Sequence, residues 1–312
     1  MIYTLTLNPN IDSFLRLSRP AALGTINRAA CEWMLPGGKG VNVSLVLARL
    51  GAETRAMGFV AGESGEMFLS LLRSFRCPAD FVRLPAGQTR INVKLEEEVE
   101  TAFNGKGPDL TPGALDALVE KLAPLSHSDT LVLSGNTPPS LPEAFDALAA
   151  LANARGARLV VDTAGDALRR ALQYRPFLIK PNADELCELC GVPVPDAAAA
   201  AELAQQLRAQ CAQNVLVSLG ADGAVLAAGD GRTYRAGFAR RFSVRSTIGA
   251  GDSMLAGFLA GLAAGRSYDG ALRLAAAAGT ATACSDALAE SSEIEAVFPA
   301  ILIETLPETG KS

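Results

Sequence analysis

Two kinds of segment alternate along most of the chain. Runs at 2–7, 54–60, 81–84, 130–133, 158–161, 177–179 and 215–218 are largely apolar at successive positions, which predicts strands buried on both faces. Between them, apolar residues recur every three or four positions. That spacing predicts helices over 41–50, 64–75, 112–122 and 141–155, a short one from Ala164, and others near 184–190 and over 196–210. Asn8-Pro9-Asn10 ends the first strand and Gly51 closes the first helix. Segments 224–227 and 232–234 read as a meander. Strands alternating with helices imply an α/β fold, with a mostly parallel sheet covered by helices on both faces and joined by right-handed crossovers. No internal repeat interrupts the pattern, and the tail at 307–312 is expected to fray.

One region has a different period. Residues 90–95 alternate polar and apolar, which puts Arg90, Asn92 and Lys94 on one face of a half-exposed strand. The acidic run Glu96-Glu97-Glu98 reads as a turn, and 99–103 returns as a second strand. Phe14, Leu15 and Leu17, followed by 26–34, read as two more strands. These four are expected to form a small accessory sheet. The expected organisation is one domain over 1–312, with lid segments at about 12–35 and 88–104 inserted.

Ser246-Thr247-Ile248-Gly249-Ala250-Gly251-Asp252-Ser253 is a small-residue turn feeding an apolar helix. The first N–H groups of a helix lack intrahelical partners and lie at the positive end of its dipole, so the turn suits an anion such as phosphate. Glycine lets backbone approach such an anion closely. Asp252 would repel phosphate, yet it suits a general base taking a proton from an attacking hydroxyl. The competing reading is a tight turn with Asp252 capping the helix. Other polar groups fall at the carboxyl ends of the strands, where open α/β sheets bind ligands. They are Asn8 with Asp12, Ser134-Gly135, Asp162, Lys180-Pro181-Asn182, and the stretch from Ser218 to Gly223. Gly37-Gly38-Lys39-Gly40-Val41-Asn42 is a glycine-rich run opening a helix, without Walker or dinucleotide spacing. Asn182 and Glu185 share a helix face, either to hold a water of a magnesium–phosphate complex or as a capping box. Arg90 suits bidentate phosphate recognition.

Composition narrows the classes. Of 312 residues, 49% are hydrophobic and 20% charged, which fits a globular chain. A net charge of −5 gives no basic field for nucleic acid, so a phosphorylated substrate needs a local basic pocket. The apolar stretch after Asp252 stops at Arg266, too short to span a bilayer. The first residues show neither a positive leader nor a cleavage pattern, and the expected location is the cytoplasm. Cys187 and Cys190 have CxxC spacing, but there is no second such pair and His127 is the only histidine. Reduced thiols without a bound metal are expected.

Together these motifs resemble the PfkB group of ribokinase-like carbohydrate kinases over nearly the whole chain. Gly37 to Asn42 is similar to the first signature of that group, Ser246 to Ser253 to its second, and Asn182-Ala183-Asp184-Glu185 to its NxxE motif. The resemblance implies one α/β domain with a β-sheet lid. It implies ATP as phosphoryl donor, with Asp252 as base and Gly249, Ala250 and Gly251 as anion hole. Asp12, Gly38, Lys39, Asn42, Arg90, Asn92 and Ser134 would bind the sugar phosphate. Lys180, Asn182, Glu185, Ser218, Gly220, Ala221, Gly223 and Thr247 would line the nucleotide site. Mg2+ would ride on ATP, with no direct protein ligand. Thr4 to Pro9 with Asp12, Thr89 to Leu95 and Leu178 to Asn182 are similar to the members of that group that act on fructose 1-phosphate, a resemblance that implies this acceptor. Fructose 6-phosphate, tagatose 6-phosphate or a non-catalytic sugar-phosphate sensor are the alternatives. A homodimer through the lid is also implied. Lys106 has no assigned role.

Overall fold

The computed structural model describes residues 1–95 and 101–307. The expected turn at 96–98, the start of the expected strand at 99–103 and most of the tail expected to fray at 307–312 lie outside the described residues. The chain opens with β1 (Ile2–Thr6), then β2 (Asn10–Leu17) and β3 (Ala29–Gly37), which leave the main sheet. It returns through α1 (Lys39–Arg49), β4 (Thr54–Ala61), α2 (Gly62–Ser74) and β5 (Ala79–Leu84), and leaves again for β6 (Arg90–Leu95) and β7 (Thr101–Phe103). Regular alternation follows: α3 (Pro112–Lys121), β8 (Thr130–Ser134), α4 (Ala144–Ala154), β9 (Arg158–Asp162), α5 (Gly165–Ala171), β10 (Leu178–Ile179), α6 (Ala183–Cys190), α7 (Ala197–Gln210) and β11 (Asn214–Ser218). The last elements are β12 (Ala224–Ala227), β13 (Thr233–Phe238), α8 (Ala250–Ala263), α9 (Tyr268–Cys284), α10 (Ser291–Val297) and β14 (Ile301–Leu306).

The large sheet has ten strands in the order β14-β13-β12-β11-β10-β9-β8-β1-β4-β5. It is parallel from β11 to β5 and antiparallel from β11 to β14. Successive strand residues serve opposite faces. Leu131, Leu133 and Val161 pack with Leu118, Phe145 and Leu168 of α3, α4 and α5. Val132 and Val160 pack the other way, with Val46 of α1, Phe258 of α8 and Leu272 of α9. This double burial is why the strands read as unbroken apolar runs. No helix among the described residues is long and apolar enough to cross a membrane.

The accessory sheet has four strands in the order β3-β2-β6-β7. β2 pairs parallel with β6, which brings Asp12 beside Asn92 and Asn10 beside Arg90. Two expectations need correction. The second lid strand starts at Ala29 and runs to Gly37, whereas Ile26 stands outside it and is 72% exposed. The sequence reading also assigned nothing between Arg266 and the tail, where α9, α10 and β14 form. The Ala-rich α9 shows no clear amphipathic stripe, because small residues let it pack closely on α8.

Candidate active site

The glycines before α1 have a packing cause. A Cβ on Gly40 would stand 2.6 Å from the Leu5 carbonyl oxygen, and one on Gly38 2.6 Å from Thr6 Cγ2. The start of α1 therefore lies directly against the end of β1, and the Val41 N–H donates to Thr6 Oγ1 at 3.0 Å. That contact sets Lys39 and Asn42 at the carboxyl end of the sheet.

Gly249, at φ 73°, turns the chain into α8. The Ala250 N–H is taken by the Thr247 carbonyl at 3.2 Å. Among the described residues the N–H groups of Gly251 and Asp252 have no such acceptor, which leaves them as the free donors of the turn. Asp252 sits in the first turn of α8, 6% exposed. Its Oδ2 accepts from Asn42 Nδ2 at 2.7 Å. Burial pushes the Asp252 carboxyl up to about 6, helped by the like charge of Asp162. The Asn42 hydrogen bond and the cations Lys39 and Lys180 pull the other way.

Those two lysines converge on one oxygen. Lys180 Nζ lies 3.3 Å and Lys39 Nζ 3.6 Å from Asp162 Oδ1, and Asp162 is 1% exposed. Asp162 first, then Asp252 and Glu185, hold the Lys39 ammonium above its usual pKa. A Cβ on Gly251 would stand 3.2 Å from Lys180 Nζ, so that ammonium borders the turn. Ser134 Oγ and Thr163 Oγ1 are buried without hydrogen-bond partners, unusual for groups with no ligand to meet, whereas the equally buried Asp162 carboxylate faces the two lysines.

The lid presents a second polar row. Asp12 Oδ1 accepts from Asn92 Nδ2 at 3.1 Å, and Lys94 Nζ lies 3.3 Å from Asp12 Oδ2. Arg90 is half-buried, and its guanidinium donates to the Asn8 carbonyl at 3.2 Å and to Asn10 Oδ1 at 3.4 Å. Gly37 is glycine because Asn10 and Asp12 lie on it: an added Cβ would sit 2.4 Å from Asn10 Nδ2 and 2.5 Å from Asp12 Oδ2. Asp12, Lys94 and Asn42 line one cavity with Ser246 and Ile248, so lid and core face a common space.

Asn182 and Glu185 form a reciprocal capping box. The Asn182 N–H donates to Glu185 Oε2 at 2.9 Å, and the Glu185 N–H to Asn182 Oδ1 at 2.8 Å. Ser218 is tied to that end of the sheet by its N–H, which donates to the Pro181 carbonyl at 3.1 Å. Gly220, Ala221 and Asp222 form one helical turn ending at Gly223, whose φ of 89° and close approach to the Ala236 carbonyl exclude a side chain. Thr247 is exposed ahead of α8. The predicted residues thus fall into two neighbourhoods: Gly38, Lys39, Asn42, Ser134, Lys180, Asn182, Glu185 and the α8 turn at the carboxyl end of the sheet, where Ser218 pairs with Asn182 and leads on to Gly223, and Asp12, Arg90 and Asn92 on the lid. Asp162 and Lys94 are the partners that stood outside the expected site residues, Lys94 reading either as a point charge on the lid strand or as a solvated edge lysine. Asp162 was visible only as a polar residue ending a strand.

The sequence matches the pfkB family carbohydrate kinases over residues 6–295. It is 37% identical to the 1-phosphofructokinase of Bacillus subtilis strain 168, over 98% of this chain and 100% of that protein. It is 33% identical to the D-tagatose-1-phosphate kinase of Bacillus licheniformis, over 98% of this chain and 100% of that one. Phosphofructokinase-2 from Escherichia coli, solved in complex with substrates and products, superposes with a TM-score of 0.88 at 29% identity, covering 96% of this chain and 98% of its own. With the double-faced α/β sheet, the four-stranded lid and the glycine turn ahead of α8 in place, the chain belongs to the pfkB family of carbohydrate kinases.

Proposed function

We propose that the protein is a 1-phosphofructokinase, transferring the γ-phosphoryl group of ATP to the 6-hydroxyl of fructose 1-phosphate. The observation that carries this reading is the buried Asp252 in the first turn of α8, beside free N–H donors and two ammonium groups. In the reaction the 6-oxygen bonds to the γ-phosphorus as the bond to the β,γ-bridging oxygen breaks. Asp252 takes the hydroxyl proton, and ADP leaves with the electron pair. The N–H groups of Gly251 and Asp252, with Lys180 and Lys39, oppose the charge on the transferring group. In this reading Gly249 and Ala250 shape the turn, while Gly38, Asn42, Asp12, Asn92 and Ser134 hold the sugar.

The nucleotide would lie along Ser218, Gly220, Ala221 and Gly223, with Thr247 at its edge. Magnesium carried by ATP suits the donor set: Glu185 keeps one carboxylate oxygen outside its capping box, and its charge reaches Lys39. Asn182 and Glu185 would meet that ion through water, and the ion would neutralise phosphate charge. A phosphate on carbon 1 must lie away from the reacting hydroxyl, and Arg90 on the lid would meet it. Both the B. subtilis and the B. licheniformis relatives are named for acceptors that carry a 1-phosphate, or for their phosphorylation.

The test is ADP release across fructose 1-phosphate, fructose 6-phosphate, tagatose 6-phosphate, D-tagatose 1-phosphate and fructose. Fructose 1-phosphate should give the highest kcat/KM. Arg90→Ala should penalise it by ~1.5–3 kcal/mol, the scale of a lost charged hydrogen bond, and leave fructose nearly unchanged. A higher kcat/KM for a 6-phosphate would overturn the acceptor and leave the kinase. No turnover with any sugar phosphate would favour a sensor.

A further inference from the structure

We propose that Asp162 is a positioning residue that holds Lys39 and Lys180 as one cationic pair against the turn ahead of α8. The inference rests on the phosphoryl-transfer reading above and adds a residue that touches neither substrate.

Three observations carry it. First, Lys39 opens α1 and Lys180 follows β10, so nothing local brings them together, yet both ammonium groups lie within ion-pair distance of the same oxygen. Two like charges that close repel unless an anion stands between them, and Asp162 at the end of β9 is that anion. Second, both Asp162 oxygens are buried, and at 3.3 and 3.6 Å neither lysine closes on them as a short, well-aligned hydrogen bond. The ammonium groups are attracted without spending well-aligned N–H donors on the carboxylate, which leaves those donors for another anion. A purely structural ion pair would be expected to close to hydrogen-bond geometry. Third, the pair is aimed. Lys180 Nζ borders Gly251, where the free N–H donors of the turn begin. Preorganised donors of this kind act without rearranging during the reaction.

Asp162 also faces the base. The groups that bear on Asp252 are Asp162 from β9, Lys39 and Asn42 from α1, and Lys180 beyond β10. The one anion among them opposes the two cations, so removing it would leave Lys39 and Lys180 acting on Asp252 unopposed.

The test compares Asp162→Asn with the parent enzyme, using MgATP and whichever sugar phosphate the parent turns over fastest in the panel. The parent alone decides the acceptor; the ratio of variant to parent decides Asp162. With folding matched by circular dichroism, kcat should fall by at least ~10-fold while the sugar-phosphate KM changes less than ~3-fold, because a transition-state contact is lost and the lid clamp is not. The acidic limb of the kcat profile should also move to lower pH. A merely structural role would lower activity in step with folded protein and leave that limb in place, and either that result or parental kcat overturns the proposal. If Asp162→Asn does not fold, Asp162→Glu replaces it. The longer carboxylate keeps the charge and displaces the lysines, so kcat should fall at least ~10-fold with the limb unmoved; parental kcat in that variant would overturn the proposal.

Discussion

At the scale of single residues, Asp252 meets two opposed demands. Burial raises its affinity for a proton, and the proposed reaction needs it ionised. With its pKa at about 6, kcat should climb as pH rises through that value and level off above it. Stability runs the other way. A carboxyl raised from 3.8 to about 6 favours the folded state when protonated, so its contribution is complete below pH 3.8 and lost as pH rises through about 6. Asp252→Asn should therefore melt no lower than the parent at pH 7, yet turn over at least ~10²-fold more slowly. Near-parental turnover of purified Asp252→Asn would remove Asp252 from the role of base. The residue was legible because its motif is local. Its partners were not, because Asn42 and Asp162 reach it only through folding.

At the scale of elements, α8 uses glycine for two purposes. Gly251 faces the site, and an added side chain there would first meet the end of the flexible Lys180. Gly257 faces α9, where a Cβ would lie 2.7 Å from the Leu274 carbonyl oxygen and 2.9 Å from Ala275 Cα, both backbone atoms that cannot swing aside. Two substitutions in one helix should then separate. Gly251→Val should abolish turnover with little change in melting temperature. Gly257→Ala should lower unfolding free energy by ~1–3 kcal/mol, the usual cost of overpacking, with normal kcat per folded molecule. Denaturant titration and assays on the same preparations decide it. If both variants lost activity only with folded fraction, the turn would be structural. The strong small-residue signal of 246–262 predicted this helix, whereas α9 escaped notice because its interface depends on what α8 leaves out.

At the scale of the whole molecule, the lid has two unlike faces. Lys94 lines the cavity shared with the core and Arg90 and Asn92 share its face of the strand, while the alternate residues lie on the other face. Of these, Ile91 is 42% exposed, Met34 of β3 40% and Phe103 of β7 60%. An apolar sheet face open to water is unfavourable and invites cover. We propose that a second copy of the chain covers it, with the lids pairing. Light scattering behind gel filtration should give twice the mass of the 32.4 kDa chain. Ile91→Asp combined with Phe103→Asp should give the single mass. A monomeric parent would reject the pairing and leave the acceptor reading untouched.

The sequence by itself determined the alternation of strands and helices, the parallel core, the separate half-exposed lid strands and the carboxylate at the head of α8. All of these are local: they depend on period, on turn chemistry, or on a motif contiguous in the chain. Only the tertiary structure decided which side chains share charge. Lys39, Asp162 and Asp252 lie on three elements and Lys180 just beyond a fourth, and they share charge because parallel strands end at one edge of the sheet and bury those ends together. It also decided that Asn182 and Glu185 engage each other's backbone, and that Arg90 is held by Asn8 and Asn10. Hydrogen-bond partners are set by distances in space, which residue types and their spacing along one chain do not contain.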